Sequence, residues 1–341
     1  MSVRKYITEF GLGMRFSQVW LLQQGQLEEL KNFDQLKNDP PHIYIIARQS
    51  KISIDPQLSY IDDSTISINF KIQDKNSHTV ESFSFPNPSK DLKLQLDCQY
   101  PYTEFSIINK KGSNCLSGKS SIFLLHLLGL KKNSDLTLVE TIRIDYLLNH
   151  LSFEVVYVGQ AYGKEGSRTA LDRLPNHGTL QKIYFESNQK HPDKDVWIIL
   201  CSFAKSVITT INPTKERYGV SLEENDKHLY NVANTVMNDE AGITDGQSIN
   251  FTEAALIKYF QPEYNIIFKD NFPSPSHSTY SECYELDINS LIIELSTIFD
   301  IPSIGEVQFK LHSSKVEADF EHLIHFDLHS REKRESMFDF S

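Results

Sequence analysis

At 341 residues the chain is long enough for two or three domains, each with its own core. Its 40% apolar and 23% charged content is that of a soluble globular protein, and the net charge is −11. The four cysteines, Cys98, Cys115, Cys201 and Cys283, form no Cys-x-x-Cys pair, which argues against a structural zinc site or a disulfide framework and suits a reducing, cytoplasmic compartment. The first ten residues carry no secretory apolar segment. The longest apolar run, residues 122–130, is interrupted by His126 and is far shorter than the ~20 residues that span a bilayer, so no membrane association is expected.

In chain order, a helix is expected over residues 16–30. The chain then turns strand-rich. Ile43-Tyr44-Ile45-Ile46, residues 65–72 and residues 80–85 alternate or run apolar between Asp, Asn, Pro and Ser turns. Residues 1–135 therefore read as a β-rich recognition domain, a sandwich or barrel whose ligand is not legible. Within it, the strand-like residues 103–109 lead through Gly112 and Gly118-Lys119-Ser120 into the apolar residues 122–130. Strand, glycine-containing loop and helix is the setting of a phosphate-cradling loop, and so of a nucleotide hydrolase. That loop needs four residues between its glycines, and its first glycine position here holds Ser113. A polar hairpin leading into a core helix is the better reading.

Residues 136–272 hold the chemistry. Residues 134–146 read either as a helix capped at Ser134 or as a strand, by alternation over residues 141–146. Val155-Val156-Tyr157-Val158-Gly159 is an apolar run ending in glycine, a strand meeting a loop. Arg173 and His177 stand four apart, a spacing that shares one helix face, although Pro175 between them must sit in a first turn or kink the helix. A strand follows at residues 197–200. Residues 251–260 then read as a buried helix that Thr252 could cap, with Glu253 in its first turn and Pro262-Glu263-Tyr264-Asn265 after it.

Taken together, residues 140–268 resemble the GIY-YIG nuclease family. Tyr157-Val158-Gly159 is similar to the second half of the name motif, Arg173 and His177 to the Arg/His pair, and Glu253 with Pro262-x-x-Asn265 to the metal-binding glutamate and the turn behind it. Ile144-Asp145-Tyr146 stands where the first half-motif is expected. It lacks the glycine and carries an acid in the middle. The long stretch between residues 197–200 and Glu253 implies an inserted helix.

The resemblance implies an α+β domain, a small mixed sheet flanked by helices, cleaving phosphodiesters with Mg²⁺ or Mn²⁺. Glu253 would hold the metal. Arg173 would offer a planar fork to the phosphate oxygens. Tyr157 or Tyr146 would hold or deprotonate the attacking water, with His177 relaying the proton. Asn265 would satisfy backbone groups around the site. The expected activity is a DNA endonuclease, in restriction or genome defence. The alternative is a catalytically reduced nucleic-acid-binding or scaffold protein that keeps the fold.

Residues 273–341 follow a Pro/Ser linker at residues 271–278 and read as a small acidic domain. Residues 290–299 are helical or strand, residues 307–311 strand. His322, His325 and His329 have the spacing of a helix face, read as a solvated stripe in preference to a metal site. Most of the negative excess lies in this segment, and it, or the N-terminal domain, could meet a second copy or a protein partner. Between Tyr157 and Lys215 the balance is positive, with Lys164, Arg168, Arg173, Lys182 and Lys190 near the motif, as a DNA groove requires.

Overall fold

A computed structural model describes residues 3–30, 33–34, 36, 39–87, 90–163, 168–213, 218–237, 245–274, 282–301 and 304–339. Lys164, Lys215 and residues 275–278 of the expected linker lie outside the described residues. Strand β1 (Thr8–Leu22) runs into a short helix, α1 (Leu27–Leu30), and then β2 (Ile43–Ser50). This corrects the helix expected over residues 16–30. Residues 8–22 pair along their length with residues 198–211, β-branched at both ends (Ile198-Ile199 and residues 207–211), and that ladder decides against local helix.

Strands β3 (Ile52–Ile54), β4 (Tyr60–Ile61), β5 (Thr65–Asp74) and β6 (Ser77–Pro86) form one small antiparallel sheet. Strands β7 (Gln95–Asp97), β8 (Glu104–Ile108) and β9 (Asn114–Lys119) form another. Helices α2 (Ser120–Lys132) and α3 (Leu138–His150) close this part, with Phe70, Phe83, Phe105 and Phe123 in contact in its core. The glycine-lysine-serine segment is the end of the β8–β9 hairpin. Gly118 pairs with Phe105, Lys119 is bonded to Glu104, and Ser120 donates to the Tyr102 carbonyl at 3.0 Å. Its backbone is committed to the ladder and forms no cradle.

The chain returns as β10 (Phe153–Gln160), α4 (Ala170–Arg173), α5 (Gly178–Lys190) and β11 (Lys194–Ile211). Helices α6 (Leu222–Met237) and α7 (Asp245–Phe260) precede β12 (Ser290–Ser296), β13 (Ile298–Ile301), β14 (Gly305–Gln308), β15 (Leu311–His312) and β16 (Glu321–Asp327). Seven strands make one mixed sheet in the order β15-β10-β2-β11-β1-β12-β16, parallel at β1/β12 and β10/β15 and antiparallel elsewhere. The fold is α+β. The sheet draws strands from all three expected segments, so boundaries at 135/136 and 272/273 run through it.

Strand β2 lies inside the sheet and every one of its residues is buried. That burial explains its near-continuous apolar sequence. Alternation sends Ile43, Ile45 and Ala47 to one core, with Phe251, Ala254, Ala255 and Phe260 of α7. Tyr44 and Ile46 go to the other, with Ala170, Leu171, Leu174, Leu180 and Ile183 around α4 and α5. His322 and His325 lie on strand β16, not on a helix. Spacing of three in a strand sends them to opposite faces, so the helix-face reading fails. His322 is buried against Tyr259 and Phe260. Among the described residues no helix is long and apolar enough to cross a membrane.

Candidate active site

The site forms where β2 begins and β10 ends. Their antiparallel register pairs Tyr44 with Gly159 and Ile46 with Tyr157, with an irregularity between Val155 and Tyr157. The extra residue at this bulge turns Val156 and Tyr157 to the same face, so Tyr157 joins Tyr44 on the α4/α5 side. The rings stand 6.2 Å apart. Gly159 is required by that pairing, since a Cβ there would lie 2.6 Å from the Tyr44 ring and 2.8 Å from the Tyr157 ring.

Thr169 caps α4 through a capping box with Asp172. Pro175 then ends regular helix, and residues 174–176 form a single 3-10 turn. Arg173 and His177 are therefore not on one regular helix. Arg173 closes α4 and donates through Nη1 to the Gln160 carbonyl at 2.7 Å. His177 is the N-cap of α5, its Nδ1 accepting from the Leu180 N–H at 3.3 Å. An accepting Nδ1 leaves the proton of a neutral ring on Nε2, which lies 3.4 Å from the Tyr44 hydroxyl. The His177 ring is 5.5 Å from Tyr157 and 5.7 Å from Tyr44.

Glu253 arrives from the opposite side of the sheet. Beyond Glu154, strand β10 has no partner strand on its outer edge among the described residues, because β15 pairs only with Phe153 and Glu154. The turn after α7 covers that edge. Tyr264 N–H donates to the Val156 carbonyl at 3.0 Å, and Asn265 takes the Val158 N–H at 2.9 Å and gives its amide to the Val158 carbonyl at 2.8 Å. The next outward group is the Gln160 N–H, which lowers the Glu253 carboxyl, while the Gln160 carbonyl accepts from Arg173.

The electrostatics follow from this crowding. Burial pushes the Glu253 carboxyl up to about 7, against the opposing pull of Arg173 and the Gln160 N–H. Burial also raises both phenols. Glu253 adds to the rise at Tyr157, while Arg173 and the Tyr44 hydroxyl oppose it. His177 is held below the ordinary histidine range by burial, then by Arg173 and Arg168, and stays neutral.

Tyr146 does not join this cluster. It lies on helix α3, 66% exposed and stacked on His150. The helix reading of that segment prevails because Thr137 and Glu140 form a capping box at its start. Tyr44 takes the place beside Tyr157, and sequence reasoning missed it because residues 51–152 separate the two strands. The available signal was Ile43-Tyr44, an Ile-Tyr pair opening a buried strand. Lys182 and Lys190, expected in a basic groove, both pair with Glu186 on α5, and Arg168 is exposed.

The donor set can be tested against a divalent ion. Among the described residues no group of three or more His, Cys, Asp or Glu side chains is placed to hold a metal, which does not fit zinc. A single desolvated carboxylate fits Mg²⁺, which keeps most of its waters and uses one or two protein carboxylates. No family model, curated protein or solved structure matches this chain.

Proposed function

We propose that this chain is a metal-dependent endonuclease of GIY-YIG-like type, acting on DNA, with Tyr44 in the role first expected of Tyr146. One observation carries the reading. Tyr44, Tyr157, Arg173, His177 and Glu253, drawn from five separate elements, meet at the end of β10 although they span more than half of the chain.

The division of labour follows from the atoms. Arg173, fixed by the Gln160 carbonyl, presents its remaining donors to the phosphoryl oxygens, where charge grows in the transition state. Tyr157, as the phenolate that Arg173 and a bound cation would stabilise, would accept the attacking water's proton and become the neutral phenol, with Tyr44 beside it. Neutral His177 would support the Tyr44 hydroxyl through Nε2–H, and Tyr44 stands beside Tyr157. Glu253 would hold the ion, which when bound supplies positive charge to the phosphate and stabilises the leaving oxygen. Asn265 keeps the strand edge closed and so keeps Gln160 in place.

The net charge of −11 favours a second reading, a scaffold that retains the fold without cleavage, because phosphate neutralisation supplies most non-specific DNA affinity. Supercoiled plasmid separates the two. The nuclease reading expects nicking by the wild type with Mg²⁺, none with EDTA, and none by Glu253→Gln. A purified, folded wild type that leaves plasmid intact across Mg²⁺ and Mn²⁺ rejects it.

A further inference from the structure

Two isoleucines beside the site have no role in the chemistry above. Ile266 is 91% exposed and Ile267 63% exposed, directly after Asn265. The segment that carries them is pinned on both sides. Asn265 and Tyr264 bind strand β10, and the Tyr264 hydroxyl donates to Glu186 at 3.1 Å. On the far side, Lys258 and Gln261 both donate to the Lys269 carbonyl at 2.8 Å. Phe268 turns back against the core with φ +70°, a left-handed conformation that bulky side chains rarely adopt. The backbone accepts that strain while both isoleucines point outward.

The surroundings indicate what covers them. Lys269 belongs to the turn, Lys258 reaches it from the last turn of α7, Lys182 of α5 reaches the face of the Tyr264 ring at 5.7 Å, and the turn's Glu263 is paired with Arg48. The tip stands on the strand that holds Tyr157 and Gln160, so a phosphodiester seated there lays its neighbouring nucleotides along this turn. A rigid apolar tip flanked by lysines fits a polyanionic groove, where apolar side chains enter between base steps and kink the duplex.

We propose that Ile266 and Ile267 form a wedge that enters duplex DNA next to the scissile phosphate, unstacking a base step and bending the strand toward Tyr157. The proposal rests on the nuclease reading, and its failure is separable from that one. The test uses the full chain carrying Ile266→Ser and Ile267→Ser together. This variant is expected to nick supercoiled plasmid about tenfold more slowly or worse, yet to cut single-stranded DNA circles at the wild-type rate, since no stack has to be opened there.

A second measurement does not depend on cleavage. In a Glu253→Gln background, protein bound to plasmid during topoisomerase relaxation is expected to shift the topoisomer distribution by unwinding. The double serine variant should abolish that shift while still binding plasmid in a gel-shift assay. Where the wild type leaves single-stranded circles intact, the topoisomer shift decides. Equal nicking with an unchanged topoisomer shift overturns the wedge and leaves the nuclease reading standing. Equal losses on both substrates with a lowered melting temperature reduce the turn to a structural role and also overturn it. A wild type inert on both substrates and unable to bind plasmid removes the nuclease reading and the wedge with it.

Discussion

Asn265 clamps Val158 from the outer edge of strand β10, accepting its N–H at 2.9 Å and donating to its carbonyl at 2.8 Å. One side chain thereby replaces a neighbouring strand where the described residues supply none, and the backbone it fixes continues into Gln160, whose carbonyl Arg173 grips. Asn265→Ala leaves a buried N–H and a buried carbonyl without partners. The expected loss is ~2 kcal/mol of unfolding free energy, read from the urea midpoint at constant slope. Cleavage should fall further than stability alone explains. An unchanged midpoint would show that the clamp contributes nothing.

Tyr44 and Tyr146 give opposite expectations for the same substitution. Tyr44→Phe removes the hydroxyl between His177 and Tyr157, so kcat should drop by about 10²-fold, the scale of losing one preorganised donor or proton-relay group. Tyr146→Phe, on an exposed helix, should be indistinguishable from wild type. Plasmid nicking by the two variants side by side reads this directly, and the reverse order would return the first-motif role to Tyr146.

Arg173→Lys keeps the charge and loses the planar fork that bonds the Gln160 carbonyl while facing phosphate. We expect kcat to fall by roughly a hundredfold while plasmid affinity in gel shift changes little. A residue that merely docks phosphate would tolerate lysine, and wild-type turnover in this variant would remove Arg173 from the transition state.

Glu253 sets a pH dependence that needs no activity assay. Its carboxyl is raised from about 4.5 to about 7 in the folded protein, so between those values the folded state binds more protons than the unfolded one. Stability therefore falls as pH rises through that window, with nothing lost below the unfolded value. Without metal, Glu253→Gln should melt above wild type near pH 8, and the two should converge near pH 4. Mg²⁺ binds the ionised carboxylate, so it should raise the wild-type melting temperature more near pH 8 than near pH 5, and should leave Glu253→Gln unmoved. Equal Mg²⁺ shifts in both proteins would take the metal away from Glu253.

Sequence by itself carried the local facts. Residues 155–159 as a strand, the interruption at Pro175 and a helix through Glu253 follow from propensity and proline sterics, which act within a few residues; that helix begins at Asp245, so Glu253 is not in its first turn and Thr252 does not cap it but donates to the Ser248 carbonyl. It also offered most of the candidate site, because Tyr157, Arg173, His177, Glu253 and Asn265 keep a recognisable order. What it could not reveal was which strand lies beside Tyr157. That choice depends on burial: β2 needs apolar cover on both faces and finds it between β10 and β11, with residues 51–152 looped out between the two tyrosines. The same long-range pairing straightened residues 16–22 into strand against β11 and put His322 and His325 on opposite faces of β16. The clamp of Asn265 on the outer edge of β10 is likewise a property of packed elements, since no spacing along the chain encodes which edge a sheet leaves open.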